Sequence, residues 1–136
     1  MRALVLLAAL VLVSPAAAGR DMVTAGSSRY GSVLFDGRGF VLYAFTKDAK
    51  GRSSCADACA AAWPPYLAAG PAAGNGTKGT LVGTTRRADG KLQVTYAGRP
   101  LYYYVGDRSP GEILCQNVEE FGGRWLVLRV DGGLVR

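Results

Sequence analysis

Gly37-Arg38-Gly39-Phe40-Val41-Leu42-Tyr43-Ala44-Phe45-Thr46-Lys47-Asp48 has a counterpart later in the chain, Gly98-Arg99-Pro100-Leu101-Tyr102-Tyr103-Tyr104-Val105-Gly106-Asp107. Both stretches open on Gly-Arg and continue as Leu-Tyr-x-aromatic-x-x-Asp, fifty-nine residues apart. The order persists downstream: Cys55 lies seven residues past Asp48 and Cys115 eight past Asp107, while Trp63 lies fifteen past the first Asp and Trp125 eighteen past the second. Self-similarity at a fixed offset is the mark of structural repeats. The copies, about 30–66 and 81–130, are too short to be independent modules, so they read as two pseudo-repeats of one domain spanning 30–136.

The pattern around the motifs is that of short strands. Tyr30 to Phe35 and Phe40 to Thr46 flank the turn Asp36-Gly37-Arg38-Gly39 and read as a hairpin. Leu81 to Arg86, Leu92 to Tyr96, Leu101 to Val105 and Trp125 to Val130 supply four more strands. Leu92, Val94 and Tyr96 alternate with Lys91, Gln93 and Thr95, as in a half-buried strand. Ser54 to Ala62 reads as one short helix, with Ser54 and Asp57 at capping-box spacing and Trp63-Pro64-Pro65 as its stop. About six strands and one helix predict a mostly β fold, antiparallel, forming one small sandwich- or barrel-like domain.

At the N-terminus, Arg2 precedes an uncharged apolar run from Ala3 to Val13. Ser14-Pro15 and Ala16-Ala17-Ala18 follow, the build of a secretory signal peptide over 1–18. That run is about half of the ~20 residues a membrane span requires. The mature chain has no second one, so no transmembrane segment is expected in it. Gly19 to Arg29 reads as a flexible leader. Export places the protein outside the cytoplasm, secreted, periplasmic or at the cell envelope, where cysteines pair. With three Cys, one is left over. The absence of His excludes Ser-His-Asp and Cys-His catalysis and His-ligated metals. No cofactor motif is present.

Tyr-x-(Phe/Trp/Tyr)-x-x-Asp occurring twice, with Cys55-Ala-Asp-Ala-Cys59 and Trp63-Pro64-Pro65 between, resembles the bacterial secreted-repeat lipoproteins of unknown function. The resemblance covers about residues 30 to 130. It implies export and a β-rich repeat and brings no established chemistry. It does not extend to lipid attachment, because no Cys stands just after the apolar run, and Cys115 stands where the family would have Gly.

The motif residues allow two readings. On a strand, Tyr43 and Phe45 share a face, as do Tyr102 and Tyr104, and Asp48 and Asp107 fall at strand ends. As scaffold, the aromatics fill the core and each Asp bonds backbone N–H groups of its own turn. As a ligand-binding site, Tyr43, Phe45, Asp48, Tyr102, Tyr104 and Asp107 converge near a pseudo-twofold axis and hold a cation or a sugar. Two carboxylates also permit a hydrolase reading. Cys55 and Cys59, at i and i+4, are placed to form a local disulfide; a redox-accessory role for them, or for the Tyr-rich face, is the alternative. The net charge of +6 suits anionic cell-envelope polymer or lipid head groups as partners, and no feature calls for specific nucleic acid. The expected role is binding or structural rather than enzymatic.

Overall fold

The two motif strands meet at their tyrosines. In the computed structural model, which describes residues 21–136, Tyr43 N–H donates to the Tyr102 carbonyl and Tyr102 N–H to the Tyr43 carbonyl, both at 2.9 Å. This is an antiparallel pair in which the two residues exchange both bonds. It sits where a twofold axis relating the repeats would pass. The expected signal peptide and the first residues of the leader lie outside the described residues.

The described residues contain nine short strands: β1 (Met22–Ser28), β2 (Gly31–Asp36), β3 (Tyr43–Phe45), β4 (Ala72–Ala73), β5 (Val82–Arg86), β6 (Leu92–Tyr96), β7 (Arg99–Pro100), β8 (Val118–Glu120) and β9 (Gly123–Val127). Helix α1 is Ala58–Ala62, and a 3-10 turn covers Gly79–Leu81. The strands form three small sheets, ordered β2-β1-β4, β3-β9-β8 and β5-β6-β7. All pairings are antiparallel except β1 with β4. Isolated pairs join the sheets: Phe35 with Val41, Val33 with Arg129, and Tyr43 with Tyr102. The sheets do not close into a barrel. The described residues form a mostly β fold with two pseudo-repeats and one short helix, as expected.

β2, β3 and β9 are buried on both faces. Val33, Phe35, Tyr43, Phe45, Trp125 and Val127 point to one core, whereas Leu34, Leu42, Ala44, Leu126 and Leu128 point to the other. Period-two alternation thus builds two apolar layers around a central one. β6 covers the second layer with Val94 and Tyr96, and α1 covers the first with Cys59.

Several local expectations are corrected. Residues 22–28 are not part of a flexible leader but form β1, in register with β2 from Val23 opposite Asp36 to Ser28 opposite Gly31. Its small residues have a packing reason: a Cβ on Gly26 would lie 2.8 Å from Phe35 Cε2. The helix is shorter than Ser54–Ala62 because Ser54 is drawn away from capping. Its N–H and hydroxyl both donate to Asp48 Oδ1, at 2.7 and 2.8 Å. Asp57, at the helix start, has φ 54° and makes no side-chain cap bond. β6 is buried on both sides, since Gln93 and Thr95 are buried as well. The strand expected over 101–105 is reduced to isolated bridges at Tyr102, which pairs with Tyr43 and with Pro65 beyond β7. The connection after Gly106 contains β8, paired with β9 through the Phe121-Gly122 turn, both residues at positive φ.

Candidate functional site

The six motif residues come together, and they do so across the repeats. Tyr43 Oη donates to Asp107 Oδ2 at 2.7 Å, and Tyr102 Oη donates to Asp48 Oδ2 at 2.7 Å. Each tyrosine therefore serves the carboxylate of the other repeat. The second oxygen of each carboxylate stays local. Asp48 Oδ1 accepts from Ser54 N–H, and Asp107 Oδ1 accepts from Leu114 N–H at 2.9 Å. One Asp thus ties its own loop and the facing repeat's strand together.

The aromatic residues cross in the same way. Trp63 and Trp125 stack face to face, centroids 4.1 Å apart and 5° from parallel. Phe45 stacks on the outer face of Trp125 at 4.1 Å, and Tyr104 packs against Trp63 at 4.8 Å. The result is a four-ring column, Phe45–Trp125–Trp63–Tyr104, alternating between repeats. Tyr43 meets Trp63 edge-on at 5.2 Å, and Tyr102 meets Trp125 edge-on at 5.1 Å, geometries the ring quadrupoles favour.

Loop contacts obey the same relation. Gly51 N–H donates to Gly98 O at 2.7 Å, and Gly111 N–H donates to Gly39 O at 2.9 Å. The loop after each motif is thereby pinned to the Gly-Arg turn of the other repeat. Arg87, at the end of β5, reaches Cys55 O at 2.6 Å; Arg29, at the end of β1, reaches Ile113 O at 3.1 Å.

Electrostatics follow burial. Desolvation raises the Tyr43 and Tyr102 hydroxyl pKa values far above the ordinary phenol range, and the facing carboxylate adds to each. Burial also raises Asp48 and Asp107, opposed by the bonds from Tyr102 and Ser54 in one case and Tyr43 and Leu114 N–H in the other. Asp107 is buried and Asp48 half-buried. The Tyr102 hydroxyl also lies 2.6 Å from Ser53 Oγ, which accepts from Arg87. Among the described residues, no buried side-chain polar atom lacks a partner, and no group of three or more His, Cys, Asp or Glu is placed to hold a metal ion.

Cys55 and Cys59 form a disulfide, Cα–Cα 5.3 Å, buried in the same core as Trp63 and Trp125. Cys115, the counterpart of Cys55, is a half-buried free thiol. The neighbouring Cys115 thiol pushes the Tyr104 hydroxyl pKa up.

A family model described as a secreted repeat of unknown function matches residues 24–66 and 83–129, two copies covering most of the chain. The chain belongs to this family of secreted repeats. The two matched segments coincide with the halves that exchange their Tyr–Asp and ring contacts. They also begin within β1 and β5, the first strands of the two hairpins. The family is a secreted one, and no helix among the described residues is long and apolar enough to cross a membrane. No curated protein and no solved structure shows significant similarity to this secreted repeat.

Three contributors were not legible in the motif. Arg87 and Gln93 bond each other, and Gln93 passes the tie to Leu101 O. Buried Asp36 holds Arg38 through Oδ2 and also accepts from the Tyr103 hydroxyl at 2.8 Å. Superposing the two Gly-Arg turns places Asp36 opposite Ala97, so the repeat alignment points to Asp36 only as a difference between the halves.

Proposed function

We propose that this secreted repeat is a rigid, non-catalytic envelope module whose Tyr/Asp motifs lock two half-domains together, leaving recognition to the surface. The crossed pairs Tyr43–Asp107 and Tyr102–Asp48 carry this reading. The Tyr43 and Tyr102 hydroxyls and both oxygens of Asp48 and Asp107 are already engaged, one carboxylate oxygen by the other repeat and one by its own loop, and the aromatics are stacked on each other rather than presented. A catalytic carboxylate pair needs access to substrate, whereas Asp107 is buried against Tyr43. The burial of Cys55 and Cys59 favours a staple over thiol–disulfide exchange, which needs an accessible sulfur.

Thermal melts of the full mature chain with millimolar calcium or magnesium, and with chelator, test the scaffold reading. A ligand bound only by the folded state at 100 times its Kd adds about 2.7 kcal/mol. The expected result is one melting temperature under all conditions. A rise of several degrees with a divalent cation, lost in Asp48→Asn or Asp107→Asn, would assign the motifs to ligand binding instead.

A further inference from the structure

The basic side chains of this chain are not spread evenly. The loop after Asp48 carries Lys50 and Arg52, hairpin β5–β6 carries Arg86 and Lys91, and β7 carries Arg99. These segments are packed together. Thr85 Oγ1 donates to Gly51 O, Gly51 N–H donates to Gly98 O, and the Lys50 side chain lies over Gly98. Arg87 fixes the loop from beneath through Ser53 Oγ and Cys55 O. Lys50, Arg52, Arg86 and Lys91 are exposed. The ion pairs among the described residues are Arg38–Asp36, Arg124–Glu119 and Arg129–Asp131, so none of these five cations takes part in one. The carboxylates within these segments are Asp48, tied to Tyr102 and Ser54, and Asp89 in the hairpin turn. Glu112, Glu119 and Glu120 lie on the loop and strand that follow the second motif.

β5 is an edge strand, and Lys50 and Arg52 lie on the side reached by Thr85, with Arg86 on the opposite side of the strand. Cations on both sides of an edge make a ridge with convergent positive potential. We propose that this ridge docks a linear soluble polyanion of the cell envelope, bearing phosphate or carboxylate groups, laid along β5. A membrane surface fits less well. Peripheral binding to lipid calls for several apolar side chains to insert beside the cations; of the exposed large apolar side chains among the described residues, Leu67 alone lies by the ridge, next to Arg86 and Lys91, while Val105, Leu114 and Phe121 belong to other segments. This proposal rests on the scaffold reading, since it assigns recognition to residues outside the motifs.

The test is binding of the mature chain to polyphosphate and to polygalacturonate of defined length, across salt concentrations, with anionic phospholipid vesicles in parallel. Binding to at least one polymer is expected, weakening steeply with salt as bound counterions are released. The triple variant Lys50→Glu/Arg86→Glu/Lys91→Glu should weaken it at least about tenfold, and the milder Lys50→Gln/Arg86→Gln/Lys91→Gln about threefold, on the scale of electrostatic steering. Arg108→Glu/Arg124→Glu/Arg136→Glu, an equal change in net charge away from β5, should change it less than about twofold, because screening confines the effect to within roughly 10 Å. Equal loss in the two Glu triples would reduce the effect to net charge and overturn the proposal. So would failure to bind either polymer at low salt, or tighter binding to vesicles than to polymers. These variants leave the Tyr–Asp pairs intact, so their failure is separable from a failure of the scaffold reading, which the cation melts report.

Discussion

Replacing Trp63 by Ala should remove the centre of the ring column. Trp63 is fully buried, stacks on Trp125 at 4.1 Å, packs on Tyr104 at 4.8 Å and receives the edge of Tyr43 at 5.2 Å. Its indole N–H donates to Glu120 Oε2 at 2.9 Å, but Glu120 is exposed, so that bond adds little. Truncating a buried Trp costs about 3–5 kcal/mol, because the transfer energy of the ring is lost and a cavity remains. The upper part of that range applies here, since rigid rings on three sides cannot collapse into the gap. At about 4 °C per kcal/mol for a domain of this size, the melting temperature should fall by about 16–20 °C. Trp125→Ala should cost about as much, because Trp125 stacks between Phe45 and Trp63 and receives the edge of Tyr102. Denaturant melts give the free energies, and differential scanning calorimetry the temperatures. A loss below about 1 kcal/mol for either variant, or a large loss for one alone, would refute the column as a shared core.

Four further outcomes are expected. Peptide mapping without reduction should recover Cys55 linked to Cys59, with Cys115 open to alkylation. Cys55→Ser/Cys59→Ser should fold and lose about 2 kcal/mol, the chain-entropy value for so short a loop; failure to fold would show that the bridge does more than staple. Burial raises the carboxyls of Asp48 and Asp107, so the folded state holds protons more tightly than the unfolded one. Their contribution is then full below the ordinary carboxylate range and is lost as pH rises through the raised values. Stability should therefore decline from about pH 4 upward and flatten in Asp48→Asn/Asp107→Asn, as read by melts across pH; an unchanged slope in that variant would exclude these groups. Asp57 sits at φ 54° with no cap bond, so Asp57→Gly should stabilise by up to about 1 kcal/mol in chemical denaturation, and destabilisation would contradict the strain.

Much of this architecture was legible in the chain because it is written in local patterns. The aromatic runs at 40–46 and 101–104, the Gly-Arg turns and the paired landmarks Cys55/Cys115 and Trp63/Trp125 point to two half-domains of short strands. The i, i+4 spacing of Cys55 and Cys59 matches the disulfide found. The crossing is different in kind. Tyr-x-aromatic-x-x-Asp reads the same whether Tyr43 bonds Asp48 or Asp107, and only the tertiary pair Tyr43–Tyr102 decides it. Ser54 carried a capping signal, yet Asp48 from six residues upstream competes for it. β1 was hidden because Ala25, Gly26 and Ser27 carry no apolar period, although the Phe35 ring requires a small neighbour there.

The central claim is that each motif is completed by the other repeat, and double-mutant cycles on the Tyr–Asp pairs test it most directly. Tyr43→Phe with Asp107→Asn, and Tyr102→Phe with Asp48→Asn, should show coupling of at least about 1 kcal/mol each, as for a buried bond to a charged acceptor. The within-repeat cycles, Tyr43→Phe with Asp48→Asn and Tyr102→Phe with Asp107→Asn, should be additive to within about 0.5 kcal/mol. Stronger coupling within repeats than across them would contradict the account.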